Sequence, residues 1–432
     1  VSLEDEKADR AHDGGEPARN PILRSRVLVE LRAQLALPVL VVGVIGGAIG
    51  AAYVTALNAL LRWIGPGDHS VLLQTAILVA AGALVTIGTR LLGESGNVEL
   101  LVDNIHVLGG TDDVRRLRSL VPTSLICIGA GGSMGPEAPL VQTSGTFGTW
   151  LASRLALEAD GTRILTITGM AAGFSVLFGA PLGAALFALE ILHRRGLQYY
   201  EALVPALIGS LVGYAANVGL TGMGLEPLWQ LPPMGPLRAT DLGWAVVCGL
   251  IGTLGAILFT VAASVSRRLV CRIPPALLPA IGGLALGALF FWSPFALTNG
   301  EGQVELVVAE TMTVAALAVA IVAKFVGVMV TISARWKGGF IIPLFFMGIA
   351  GGQLLHLVFP STNATVMMAA LAVALCVGVT KTPLGSTLAV TQMAGLPLLP
   401  MSLIAAVIAL LLTSGSSMID TQRERTSNGN EQ

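Results

Sequence analysis

Apolar runs separated by short polar or Gly/Pro-rich breaks occupy most of the chain, at about 36–62, 71–93, 119–133, 139–157, 164–192, 202–220, 241–264, 276–293, 305–331, 340–358, 364–380 and 383–413. A straight helix needs about 20 residues to cross the hydrocarbon of a bilayer. Several of these runs are shorter, and others are cut by Gly and Pro, as in LFGAPLGAALF, GGFIIPLFFMG and TKTPLGSTLAV. The period-two alternation of a membrane β-barrel is missing. The pattern therefore predicts an all-α integral membrane protein of tilted and broken helices. Loosened backbone at membrane depth has to be buried or to line a cavity.

The runs repeat. APLGAALFALE begins at Ala180 and TPLGSTLAVTQ at Thr382. GPEAPLVQTSG places its second proline at Pro139, and GFIIPLFFMGI places its proline at Pro343. Two landmarks in the same order at nearly equal offsets predict two related halves, and in transporters such halves are often inverted in topology. The expected organisation is a polar N-terminal segment 1–34, a first membrane half 35–220, a linker 221–240, a second half 241–418 and a short polar tail 419–432.

Composition strengthens this picture. The chain is 54% hydrophobic and 12% charged, about half the charge a water-soluble surface uses. Its net charge of −1 gives no footprint for nucleic acid, so lipid is the expected surrounding medium. The four cysteines are far apart, with neither metal-ligand spacing nor a disulfide framework, and no metal or cofactor is expected. The polar start carries no cleavable signal peptide, and no soluble regulatory domain is expected after the last run. Arg24, Arg26 and Arg32 before the first run, and Arg423 and Arg425 after the last, place both ends in the cytoplasm by the positive-inside rule. Arg194, Arg195, Arg267, Arg268 and Arg272 mark further inner loops.

The candidate chemistry lies at the breaks. A helix start carries about half a positive charge and free N–H groups. Several starts meeting at one point hold an anion without Lys or Arg, loosely enough for it to leave again. Gly135–Pro139 supplies one start, Gly338, Gly339 and Pro343 a second, and GESGNVELL a third, with Ser95 as its expected N-cap and its hydroxyl available to an ion. Glu137 is the acid among them. A charge at the bilayer centre costs about 2.5–3.5 kcal/mol, and a helix start returns up to about 2 kcal/mol. Protonation can tip so close a balance. Ionised, Glu137 can occupy the anion site, and protonated it can swing away, so it can be both gate and proton carrier. The alternative is a carboxylate that only caps its own helix.

These residues resemble the CLC family of chloride channels and proton-coupled chloride exchangers. ESGNV at 94–98 is similar to the family's Gly-Ser-Gly-Ile-Pro segment, GPEAP at 135–139 to Gly-Lys/Arg-Glu-Gly-Pro, and GFIIP at 339–343 to Gly-x-Phe-x-Pro. The resemblance covers nearly the whole membrane body. It implies chloride as the ion, proton coupling as an option, a homodimer with one pore per subunit, and an inner plasma-membrane location. It also implies that Ser95 coordinates the ion, that Glu137 is the gating glutamate, and that the N–H groups of Phe340 and Ile341 are ligands. Gly96, Gly135, Pro136 and Gly339 complete the implied anion-binding backbone.

The motifs depart from the family pattern in places. Val98 stands where the first motif has proline, and Pro136 and Ala138 replace a basic residue and a glycine in the second. Ile341 takes the place of the phenylalanine in the third. The family's inner tyrosine aligns with Ile419, with Ser416 or Ser417 as substitutes. Exchangers carry an inner relay glutamate where this chain has Ile191. Glu190 is thus either a packed structural acid or a substitute relay. Exchange, passive conduction and a fluoride-selective variant are all compatible with these motifs. Arg335 and Lys337, in SARWKGG, are either surface loop charges or charges that concentrate anions at a pore mouth.

Other features have their own readings. GGSMG at 131–135 matches Gly-x-Ser-x-Gly, which would make Ser133 a protease nucleophile with His356 as its partner; a non-enzyme is the expectation. His106 is either a polar helix-end residue or a pH sensor. The tryptophans Trp63, Trp150, Trp229, Trp244, Trp292 and Trp336 are expected as interfacial anchors.

Overall fold

The computed structural model describes residues 21–67, 69–96, 98–111, 114–194, 199–222, 229, 231–308, 312–415, 418–419 and 422. Chain contacts divide it into two units, Val1–Pro38 and Val39–Gln432. Of the first, the described part is the start of helix α1 (Pro21–Ile64). That helix opens inside the segment expected to be polar. Pro21 occupies the first helical position, where its fixed φ suits a helix start.

The second unit continues with α2 (Val71–Leu92), α3 (Val98–Leu108), α4 (Leu117–Gly129), α5 (Glu137–Arg154), α6 (Ala159–Phe178), α7 (Pro181–Glu190) and α8 (Leu203–Thr221). After the connection between halves come α9 (Ala239–Leu269), α10 (Leu278–Trp292), α11 (Val304–Val308), α12 (Val314–Ser333), α13 (Ile341–Val358), α14 (Ala364–Thr380), α15 (Pro383–Ala394) and α16 (Leu399–Thr413). Eight helices among the described residues are long and apolar enough to cross a membrane. α7 has 10 residues and α15 has 12, about half a crossing at 1.5 Å per residue.

Three apolar runs prove to be pairs of helices. The run 164–192 breaks where Gly179 adopts φ 59° as the C-cap of α6, ahead of Pro181. The run 383–413 breaks at Gly395, with φ 132°. The run 305–331 becomes α11 and α12. Helix α3 has no counterpart among the apolar runs, because Glu99, Asp103, Asn104 and His106 dilute it.

The halves repeat as α5–α6–α7–α8 and α13–α14–α15–α16, and equivalent residues exchange equivalent contacts. Gly135 and Gly339 form an antiparallel bridge, each donating its N–H to the other's carbonyl at 2.8 and 2.7 Å. Glu190 at the end of α7 accepts from the N–H groups of Leu384 (3.1 Å) and Gly385 (2.8 Å) at the start of α15. In return, Gln392 of α15 accepts from the N–H of Gly183 at the start of α7 at 3.0 Å. The two short helices cross where Gly183 meets the Ala389 backbone and Gly385 meets that of Phe187; a Cβ at these glycines would come within 2.4 and 2.5 Å. Small residues permit this backbone approach. The exchange is that of a pseudo-two-fold axis. α5 and α13 therefore meet start to start and run apart, as inverted halves must.

Burial sorts the helices. α14 is buried from Thr365 to Thr380, and its counterpart α6 from Leu165 to Phe178. A helix apolar on every side belongs in the centre. α2, α8, α9 and α10 instead expose residues such as Leu72, Leu211, Leu254 and Phe291, a surface suited to lipid. Trp63, Trp150 and Trp292 are exposed, as interfacial anchors are, but Trp229 and Trp336 are core residues at 3% exposure. Trp336 is held there by its Nε1–H, which donates to the Pro279 carbonyl at 2.8 Å. Ile419 and Gln422, expected in a free polar tail, are also buried. The Gln422 amide donates to the carbonyls of Ile191 and Thr380, both at 2.9 Å, and so pins the segment to the ends of α7 and α14.

Candidate functional site

The Gly135–Gly339 bridge sets the first residues of α5 and α13 beside one another. Prolines follow at the third position of each helix, Pro139 and Pro343, where a missing N–H costs nothing. Glu137, the first residue of α5, is 1% exposed. Its side chain lies between the two glycines. A Cβ on either Gly135 or Gly339 would approach Glu137 Oε2 to 2.3 Å, so only glycine leaves room for the carboxylate. Glu137 Oε1 accepts the N–H of Ile342, in the first turn of α13, at 2.5 Å. Oε2 is buried without a hydrogen-bond partner among the described residues. The acid of one half thus caps the helix start of the other, where an anion would be favoured.

Two cavities meet near this point. An apolar chamber of about 20 Å³ is lined by Glu137 with Leu101, Val102, Phe174, Ile191 and Ile341. A vestibule of about 800 Å³ is lined by Ser95, Gly96, Arg335 and Lys337, together with Arg90 and Arg267. Ala138, Phe340 and Ile419 belong to both linings. Cations reach the vestibule from three separate places: α2 (Arg90), α9 (Arg267) and the loop before α13 (Arg335, Lys337). Arg335 adopts φ 62°, a left-handed conformation unusual for a residue with a side chain.

The predicted site residues fall into three groups. Glu137, Gly135, Pro136, Gly339, Phe340 and Ile341 come together at the two helix starts. Ser95 and Gly96 line the vestibule instead. Ser95 is not an N-cap: α3 begins at Val98, and Ser95 Oγ is buried with no partner among the described residues. The extended stretch before α3 carries it three residues short of the helix. Glu190 lies apart, with both oxygens engaged at the start of α15. Ser416 and Ser417 lie outside the described residues. Ser133 is fully buried, and His356 pairs with Thr362 at 3.1 Å; no serine–histidine pair forms between them.

Sequence reasoning missed several participants. The N–H of Ile342 bonds Glu137 beside that of the expected Ile341. Arg267, expected as an inner loop charge, lines the vestibule, as does Arg90, which no motif marked. Gln142, 5% exposed, lies against Gly96, where a Cβ would come within 3.3 Å of its amide oxygen. Leu101 and Val102 lie on α3, which hydropathy did not reveal.

Residues 104–414 match the family model described as "Voltage gated chloride channel". A chloride/fluoride channel protein of Pseudomonas syringae pv. tomato is 27% identical, over 88% of this chain and 84% of its own length. The voltage-gated ClC-type chloride channel ClcB of Shigella flexneri is 26% identical, over 67% of this chain and 71% of its own. The fold is similar to that of a slow cyanobacterial Cl−/H+ antiporter (TM-score 0.76, 22% identity, 88% of this chain and 94% of that one). It is also similar to that of a CLC-type fluoride/proton antiporter (TM-score 0.79, 23% identity, 91% and 98%). With a family match across most of the membrane body and the paired helix starts that the family's motifs describe, this multi-pass membrane protein belongs to the voltage-gated chloride channel family, the CLC family.

Proposed function

We propose that the protein carries a halide, chloride first, across the inner membrane in exchange for protons, with Glu137 as both gate and proton carrier. One observation carries this reading: the Glu137 carboxylate sits on the Ile342 N–H at the α13 start, with its second oxygen unpartnered. A carboxylate there occupies the place of the transported anion. Once protonated, it loses the charge that the helix start favours, and a halide takes its position. Peptide dipoles hold that ion without a full opposite charge, so it can leave.

Ser95 and the vestibule cations serve the inner approach. Arg335 and Lys337 gather anions, and the Ser95 hydroxyl donates to the ion ahead of the chamber. Glu190 serves as an inter-half cap rather than a relay, since both its oxygens already accept N–H groups. The subunit pairs with a second copy through α7 and α15, whose equivalent leucines Leu182 and Leu384 are 42% and 39% exposed. Both ends lie in the cytoplasm. Fluoride is the second reading, favoured by the chamber of about 20 Å³, in which a smaller halide displaces less.

The test is halide efflux from reconstituted vesicles with simultaneous pH recording. Wild type is expected to move protons uphill when driven by chloride, and Glu137→Gln to abolish that movement. Chloride efflux without proton movement in wild type would assign a passive channel. A fluoride rate far above the chloride rate would assign the second reading.

A further inference from the structure

The vestibule holds more positive charge than a passing halide needs. Its charged lining residues are Arg90, Arg267, Arg335 and Lys337 against one carboxylate, Glu94, which leaves three charges in excess. A single chloride offsets one of them. The volume of about 800 Å³ lies within the range of small-molecule sites, about 300–1,000 Å³, and is far beyond what one halide fills. Arginines that only set topology lie dispersed along the inner loops. Here cations from α2, α9 and the loop before α13 share one concave surface.

The loop before α13 is fixed so that it presents its two charges. Trp336, between Arg335 and Lys337, is buried and donates its Nε1–H to the Pro279 carbonyl at 2.8 Å. The Lys337 N–H donates to Cys127 Sγ of α4 at 3.3 Å. Arg335 itself adopts φ 62°, a conformation that persists only where its surroundings hold it and that gathers at ligand clamps. Arg335 and Glu94 both act on the Lys337 charge, the first against it and the second in its favour. Like charges fixed side by side in this way are relieved by an anion between them. Ser95 adds a neutral donor, its Oγ buried without a partner among the described residues.

We propose that the vestibule is a binding site for a multivalent oxyanion of the phosphate class, which closes the halide's inner approach. This rests on the reading above that the vestibule is that approach. Phosphate oxygens match guanidinium forks two at a time, while lysine contributes a point charge. A pyrophosphate or phosphomonoester group brings two or more negative charges, so it offsets more of the excess than a halide does and binds more tightly. It cannot follow the ion further. The chamber beyond, of about 20 Å³, has room for about one water. The oxyanion is therefore held where chloride has to pass. Free phosphate compounds and a phosphomonoester lipid headgroup share this chemistry.

The test titrates the full chain in detergent with inorganic pyrophosphate and reads the heat of binding. Arg90→Gln and Arg335→Gln are each expected to weaken binding about tenfold. Arg154→Gln, at an exposed arginine outside the lining, is the control that leaves it unchanged. No binding in wild type, or equal weakening in all three variants, would overturn the site. In phosphatidylcholine vesicles, saturating pyrophosphate on both faces is expected to stop chloride efflux. Efflux stopped by phosphatidic acid in the bilayer, with no free pyrophosphate, would give a lipid headgroup as the natural source; efflux stopped by pyrophosphate alone would give a soluble one. Pyrophosphate that binds and leaves efflux unchanged would overturn the block, and with it the vestibule as the ion's route, while the site would stand. A passive channel in place of an exchanger would leave all these expectations as they are.

Discussion

The starts of α5 and α13 share their backbone and differ in chemistry. Each has a glycine in the Gly135–Gly339 bridge and a proline in its first turn, yet the residue equivalent to Glu137 is Ile341. The helix pair α7 and α15 repeats the lesson, with Glu190 in one and Gln392 in the other making matching contacts. At the junctions leading into these helices the first half places Phe174, Phe178, Ala180 and Ala184, all buried. The second places Cys376, Thr380, Thr382 and Ser386, joined by hydrogen bonds such as Thr380–Thr382 at 2.7 Å and Thr382–Ser386 at 2.8 Å. The pseudo-two-fold builds a two-sided frame, and the side chains break it so that one half holds the acid. A second acid at the same point would repel the first across a short, dry distance.

Breaking the symmetric frame at its centre is expected to have the largest effect. Gly339→Val places side-chain atoms where Glu137 Oε2 now lies, and chloride efflux is expected to fall about a hundredfold or more. The paired caps sharpen the comparison. Glu190→Ala leaves two N–H groups of α15 without their acceptor, for about 2–4 kcal/mol of stability. Gln392→Ala leaves one N–H without a neutral acceptor, for about 1 kcal/mol. Thermal unfolding in detergent reads both, and equal losses would contradict the asymmetry argued here. Smallest at physiological salt is the vestibule. Arg335→Gln with Lys337→Gln is expected to slow chloride entry about tenfold at 10 mM salt and under about twofold at 0.15 M.

Much of the frame was legible along the chain. The Gly/Pro interruptions marked the broken helices, and the repeated landmarks marked the halves. Both signals are local, since a proline or a left-handed glycine acts on its own few residues. Helix α3 was marked by GESGNVELL but not by hydropathy, because the polar His106 meets Tyr199 and Leu192 inside the protein rather than lipid. Trp336 escaped for the same reason, its N–H being satisfied inside the core. Gln422 looked like a tail residue because its two carbonyl partners, Ile191 and Thr380, are far away in sequence.

The sequence alone determined the class, the two-half plan, the helix starts and the single acid placed between prolines. These follow from composition and from backbone preferences that hold wherever the chain goes. Only the tertiary structure decided where that acid points. Whether Glu137 caps its own helix or the opposite one depends on the space left by Gly135 and Gly339, which lie 204 positions apart and become neighbours only on folding. Distance along a chain carries no record of which buried groups meet, because packing joins residues by shape and by satisfied hydrogen bonds rather than by order.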